Sequence, residues 1–141
     1  MRIVCAFMSE DQTGEERRLR EALHGHDVTV VYSYEDLRFV TLAPALFDVI
    51  LTDLVLKWSL NSKEDYPAGA FMSAFLPQTL VRGLGVFIPD FFETAFATEC
   101  EHKYHSIVVS RDCITDWGGR DWVKLLGLVT ARMKAIDGQV T

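Results

Sequence analysis

Five short apolar, β-branched runs punctuate the chain, at residues 3–8, 28–32, 49–56, 84–88 and 107–109. None alternates cleanly between apolar and polar positions. Uninterrupted runs of this kind predict strands buried on both faces, and so a parallel sheet covered by helices. Stretches of helical period separate them. The first sets Thr13 and Glu16 at capping-box spacing, puts Leu19, Ala22 and Leu23 on one face, and reaches a stop at Gly25. The second is predicted from near Ser33, carries Leu37 and Val40, and ends before Pro44. A third, from near Ala68, carries Phe71, Ala74 and Phe75, and Pro77 kinks or splits it. A fourth opens on Asp90 and Glu93 at capping-box spacing and carries Phe92, Ala95 and Phe96. The fifth runs from about Arg120, with Trp122, Leu125, Leu126, Val129, Met133 and Ile136 in register, and Gly138 follows its end.

Strand and helix thus alternate five times. Parallel strands joined by crossover helices wind right-handedly. The expected fold is α/β: a three-layer, doubly wound, five-stranded parallel sheet, (βα)5, in strand order 2-1-3-4-5, with residues 1–141 as one domain. The reactive crevice of such a sheet lies at the carboxyl ends of strands one and three. The one long connection expected, residues 57–67, is polar, rich in turn formers and on that same edge.

Composition narrows the partners. Fourteen Lys and Arg stand against 20 Asp and Glu, a net charge of −6. The cluster Arg17-Arg18-Arg20 alternates with Glu15, Glu16 and Glu21, as on a solvated helix face, so no nucleic acid is expected. No apolar window is long enough for a membrane span, and the apolar start leads into Glu10 and Asp11 without a cleavage pattern. Cys5, Cys100 and Cys113 are odd in number and widely spaced, which suggests neither a disulfide framework nor a zinc site. A reducing cytoplasm is the expected location.

Asp53 interrupts the third apolar run. A carboxylate in a buried strand is costly unless it is paired, metal-bound or at a solvent-facing mouth. At the mouth of the crevice it has two chemical uses: nucleophile toward a phosphoryl donor, or ligand to a divalent cation. It has a bland use as well, capping the strand end or the following turn.

The stretch 47–56, with Asp48 and Asp53 in register, resembles the third strand of response-regulator receiver domains, and the alternating order resembles that family over essentially the whole chain. The resemblance implies a stand-alone signalling module phosphorylated on Asp53, with no enzymatic activity of its own. Its partner would be a protein, a histidine kinase or a downstream target, and a homodimer is compatible. It also implies Mg²⁺ held by Asp53 with Glu10 and Asp11, and Arg111 as a phosphoryl-oxygen partner. Several positions depart from the family pattern. Phe7 and Met8 stand where the acid pair is expected, Phe87-Ile88-Pro89-Asp90 lacks the strand-four hydroxyl, Ser110-Arg111 replaces Lys-Pro, and Lys57 replaces a proline.

Two other classes remain open. One is a pseudo-receiver, an interaction or scaffold protein without phosphotransfer. The other is a small-molecule enzyme using the crevice between strands one and three, through Glu10, Asp11 and Asp53. A flavin-phosphate cradle after strand one is disfavoured by the charge of Glu10 and Asp11. His102 and His105 suit the end of the fourth helix, Trp122 suits the core, and Trp117 and Phe91 are candidates for a docking surface.

Overall fold

In the computed structural model, the described residues are 1–9, 11–41, 47–53, 55–59, 65–67, 83–87, 107–110, 112–114 and 119–140. In chain order the elements are β1 (Arg2–Ala6), α1 (Gln12–Ala22), β2 (Asp27–Val31), α2 (Tyr34–Thr41), β3 (Val49–Asp53), β4 (Val55–Lys57), β5 (Asp65–Pro67), β6 (Gly83–Phe87), β7 (Ile107–Ser110) and α3 (Trp122–Val140). The helices expected around residues 68–77 and 90–96, together with Trp117, Phe91, His102 and His105, lie outside the described residues.

Each of the five apolar runs supplies a strand to one five-stranded sheet, ordered β2-β1-β3-β6-β7, and every pairing in it is parallel. Counted along the chain, this is not the expected 2-1-3-4-5. The expected single strand over 49–56 divides after Asp53, and its second part, β4, pairs antiparallel with β5 in a separate two-stranded sheet. An added hairpin therefore shifts the strand numbering. It is tied back to α2 by a parallel bridge between Ser33 and Lys57 and by Glu35 N–H donating to the Trp58 carbonyl at 3.0 Å.

The central strands β1, β3 and β6 are buried on both faces, as their unbroken apolar runs require. Ile3, Cys5, Phe7, Val49, Leu51 and Phe87 pack with Leu19 and Leu23 of α1 and with Trp122, Leu125, Leu126, Val129 and Met133 of α3. The alternate positions Val4, Ala6, Ile50, Leu84 and Val86 are also buried, and α2 packs against β1. The seat of α3 is close. A Cβ on Gly85 would stand 2.8 Å from Leu125 Cγ and 2.8 Å from Val129 Cγ2, so glycine lets the helix approach β6.

Two helix boundaries differ from expectation. Asp11, not Thr13, caps α1, its Oδ1 accepting from Gly14 N–H at 3.1 Å. Asp is at least as good a cap as Thr, and Gly14 leaves the space its carboxylate fills. At the other end of the chain Asp121 caps α3, its Oδ1 accepting from Lys124 N–H at 3.0 Å, so Arg120 stands outside the helix. Arg120 forms an antiparallel bridge with Ile114 instead. The helix runs through Gly138 to Val140, since one interior glycine costs only about 1 kcal/mol. Gly25, at φ 96°, ends the first helix-to-strand turn as expected. Among the described residues no helix is long and apolar enough to cross a membrane.

Candidate functional site

The carboxyl ends of β1 and β3 are adjacent, because Ala6 pairs with Thr52. Asp53 is the last residue of β3, and Phe7 and Met8 continue the chain beyond β1. The parallel register therefore sets the Asp53 carboxylate beside the backbone of Met8, whose N–H donates to Oδ2 at 2.9 Å.

Arg120 closes over this point. Its Nε donates to Asp53 Oδ1 at 2.6 Å and its Nη2 to Asp53 Oδ2 at 2.5 Å, a two-pronged ion pair. Nη2 also donates to the Met8 carbonyl at 2.6 Å, and Nη1 lies 3.4 Å from Glu15 Oε1. The guanidinium carbon stands 5.4 Å from the centre of the Phe7 ring, within reach of a cation–π contact. Side-chain exposure is 13% for Asp53 and 11% for Arg120, so the pair is mostly out of water.

Glu15 completes the cluster from the first turn of α1, where the helix dipole favours a negative charge. Its side chain is 2% exposed. Oε1 accepts from Trp122 Nε1 at 3.2 Å, and Oε2 from Arg18 Nη2 at 2.8 Å. Trp122 is itself fixed edge-on by Phe7 and Phe87, at ring separations of 5.9 and 4.9 Å. Each charged group thus faces an opposite charge, as burial demands.

The charges respond to this setting. Burial pushes the Asp53 carboxyl above its ordinary value, against the pull of Arg120 and the Met8 N–H, while Glu15 adds to the rise. Burial alone would lower Arg120, but the hydrogen bonds and charge of Asp53, with those of Glu15, outweigh it and raise the guanidinium above its ordinary value. Arg120 therefore stays charged.

The remaining residues singled out from the sequence fall elsewhere. Asp11 turns onto its own helix, and its Oδ2 lies 3.9 Å from Arg18 Nη1. Asp48 closes the opposite end of the sheet, where Arg2 N–H donates to its Oδ2 at 2.9 Å. Phe87 stands in register with Asp53, and its ring is buried against Trp122. Glu10 and Arg111 lie outside the described residues. Of the three expected Mg²⁺ ligands, the two described ones, Asp53 and Asp11, are engaged by protein groups. Both oxygens of Asp53 are taken up by a guanidinium, a positive charge sits in front of them, and Asp11 is engaged at a helix end. Among the described residues no three His, Cys, Asp or Glu side chains are placed to hold a metal.

Arg120 was not foreseen as a site residue, nor was Glu15. The requirement that a buried Asp53 find a partner was legible. Its identity was not, because Arg120 is 67 positions away and looked like the first residue of a helix. No protein-family description matches the chain, and no curated protein or solved structure is significantly similar to it.

Proposed function

We propose that this chain is a receiver-like interaction module in which an internal ion pair closes the reactive crevice, a pseudo-receiver that works by binding another protein rather than by accepting a phosphoryl group. The observation that carries this reading is the two-pronged hold of Arg120 on Asp53. An aspartate attacks phosphorus through a free carboxylate oxygen approached by a cation-bound donor. Here both oxygens accept from a guanidinium, and Met8 N–H takes a further lone pair. The strand-end position of Asp53 and the parallel sheet suit a flavodoxin-like, three-layer scaffold.

Partner binding then falls to the surface. Phe39 is 80% exposed on α2, and Trp58 is exposed beside Tyr34 at a ring separation of 5.2 Å. A histidine kinase, a downstream target or a second copy of the chain are the partner classes, in a cytoplasmic setting.

The test is incubation with acetyl phosphate and Mg²⁺, followed by intact-mass measurement and peptide mapping. The reading expects no phosphoryl group on Asp53. Stoichiometric phosphorylation of Asp53 would overturn it and restore the signalling module regulated by phosphotransfer.

A further inference from the structure

We infer that the open edge of β2 and the charged stripe of α1 above it form one self-complementary surface, by which two copies of this chain pair antiparallel about a two-fold axis at Thr29. β2 ends the order β2-β1-β3-β6-β7, and among the described residues only β1 pairs with it. The hairpin meets the chain at Ser33, beyond the end of β2. Asp27 N–H donates to the Met1 carbonyl at 3.0 Å, so the peptide groups of Asp27, Thr29 and Val31 face β1, and those of Val28 and Val30 face outward. Arg20 Nη1 reaches the Val28 carbonyl on that outer side, at a long 3.4 Å. The edge carries none of the usual guards against pairing: it has no proline or lysine, its single charge, Asp27, stands at its start, and Val28, Thr29, Val30 and Val31 are all β-branched.

An axis through Thr29 uses every outward peptide group of the strand. Val28 of each copy lies opposite Val30 of the other, as a pair that exchanges both N–H···O bonds, and the two Thr29 residues meet as the closer, non-hydrogen-bonded pair. Asp27 then stands opposite Val31 and not opposite a like charge. The helix above supplies a matching pattern. The Tyr32 hydroxyl donates to Glu16, and Arg20 reaches Val28, so the stretch between residues 16 and 20 crosses the middle of β2 near the same axis. Thr13, Glu16, Arg17, Arg20, Glu21 and His24 line a hollow along one side of α1, and its central charges read acid, base, base, acid. With two such helices antiparallel, Glu16 of each copy falls beside Arg20 of the other, and Arg17 beside Glu21. The two registers differ by one residue, about 1.5 Å, well within the reach of these side chains. Side by side in parallel, each charge would meet its own kind. The stripe therefore selects the orientation that the strand edge requires.

A second copy of the chain thus becomes the partner in the protein-binding role proposed above, and the pairing rests on that role. The two fail separately: phosphate on Asp53 would sink the role as proposed, whereas self-association is read without any phosphoryl donor. The experiment is sedimentation velocity over a concentration series of the full chain, joined to a cross-linking test of register. Wild type is expected to pass from monomer to dimer and no further. Thr29→Lys, which sets two like charges opposite each other at the axis, should weaken the dimer about tenfold or more. Glu16→Arg and Arg20→Glu should each weaken it alone, and an equimolar mixture of the two should recover it as a heterodimer, because each cross-pair then joins opposite charges. In a glutathione redox buffer Thr29→Cys should form a disulfide-linked dimer, since its two Cα atoms would stand about 4.5 Å apart, a separation a disulfide spans. Asp27→Cys, whose copies lie at opposite ends of the pairing, should not. A wild-type chain that stays monomeric at its highest soluble concentration would overturn the inference. So would a dimer indifferent to Thr29→Lys and to both charge reversals, a mixture that fails to recover association, or cross-linking no greater for Thr29→Cys than for Asp27→Cys.

Discussion

Arg120 and Asp53 face each other across the carboxyl end of the parallel sheet, joined by two nearly equal bonds of 2.6 and 2.5 Å although 67 positions separate them in the chain. The bond pair links β3 to the segment leading into α3, and through Glu15 it reaches α1. The crevice where such folds conduct their chemistry is thereby turned into a structural joint.

Breaking that joint on one side should be costly. Asp53→Asn or Arg120→Met leaves the other charge buried without its partner, and each should lower stability by about 3–5 kcal/mol in chemical denaturation. The double variant should lose less than the two singles together, with an interaction energy of about 0.5–3 kcal/mol. Strict additivity would mean that the two side chains do not act on each other in solution.

The contact between β6 and α3 depends on a missing side chain. Gly85→Ala would press a methyl group against Leu125, Val129 and Leu51 Cδ2, the last at 3.0 Å, and should cost about 1–3 kcal/mol. Gly127, on the exposed side of the same helix, has nothing within 4 Å of a Cβ. Gly127→Ala should therefore stabilise the protein by about 1 kcal/mol, the helix-propensity difference. Thermal midpoints moving in opposite directions for the two variants would establish the close seat of α3, and a gain for Gly85→Ala would refute it.

Burial pushes the Cys5 thiol from 9.0 up to about 12, with Arg20 opposing. Between those values the folded chain keeps a proton that the unfolded chain releases. This contribution to stability is intact below pH 9.0 and is lost as pH rises toward about 12. Its steepest slope is about 1.4 kcal/mol per pH unit. Cys5→Ala should shift stability by a constant near neutrality and show a shallower alkaline decline. Denaturation midpoints from pH of about 8 to about 10.5 would check this, and parallel declines in the two proteins would contradict it.

The parallel sheet was legible in the sequence because burial on both faces leaves a direct mark, the absence of alternation in residues 49–53 and 83–87. The hairpin was not, because β4 continues the same apolar run after Asp53 and the sequence shows only one strand-like segment. At the site, Asp53 stood out as a charge in an apolar strand. Its register partner in the resemblance, Asp48, proved to fasten the far end of the sheet through Arg2. Glu15 and Arg120 were hidden by their settings: one among the charges of an amphipathic helix, the other beside a better helix cap, Asp121. Long-range ion pairs leave no periodic signal, so their partners emerge only when the fold brings them together.

The most direct measurement of the central claim is nitrogen-detected NMR of the arginine side-chain Nε–Hε groups. One signal, assigned by its disappearance in Arg120→Lys, should be displaced from the exposed arginines, exchange slowly with solvent, and collapse toward them in Asp53→Asn. An Arg120 signal that exchanges as fast as the surface arginines and ignores Asp53→Asn would contradict the closed crevice and leave Asp53 open to chemistry.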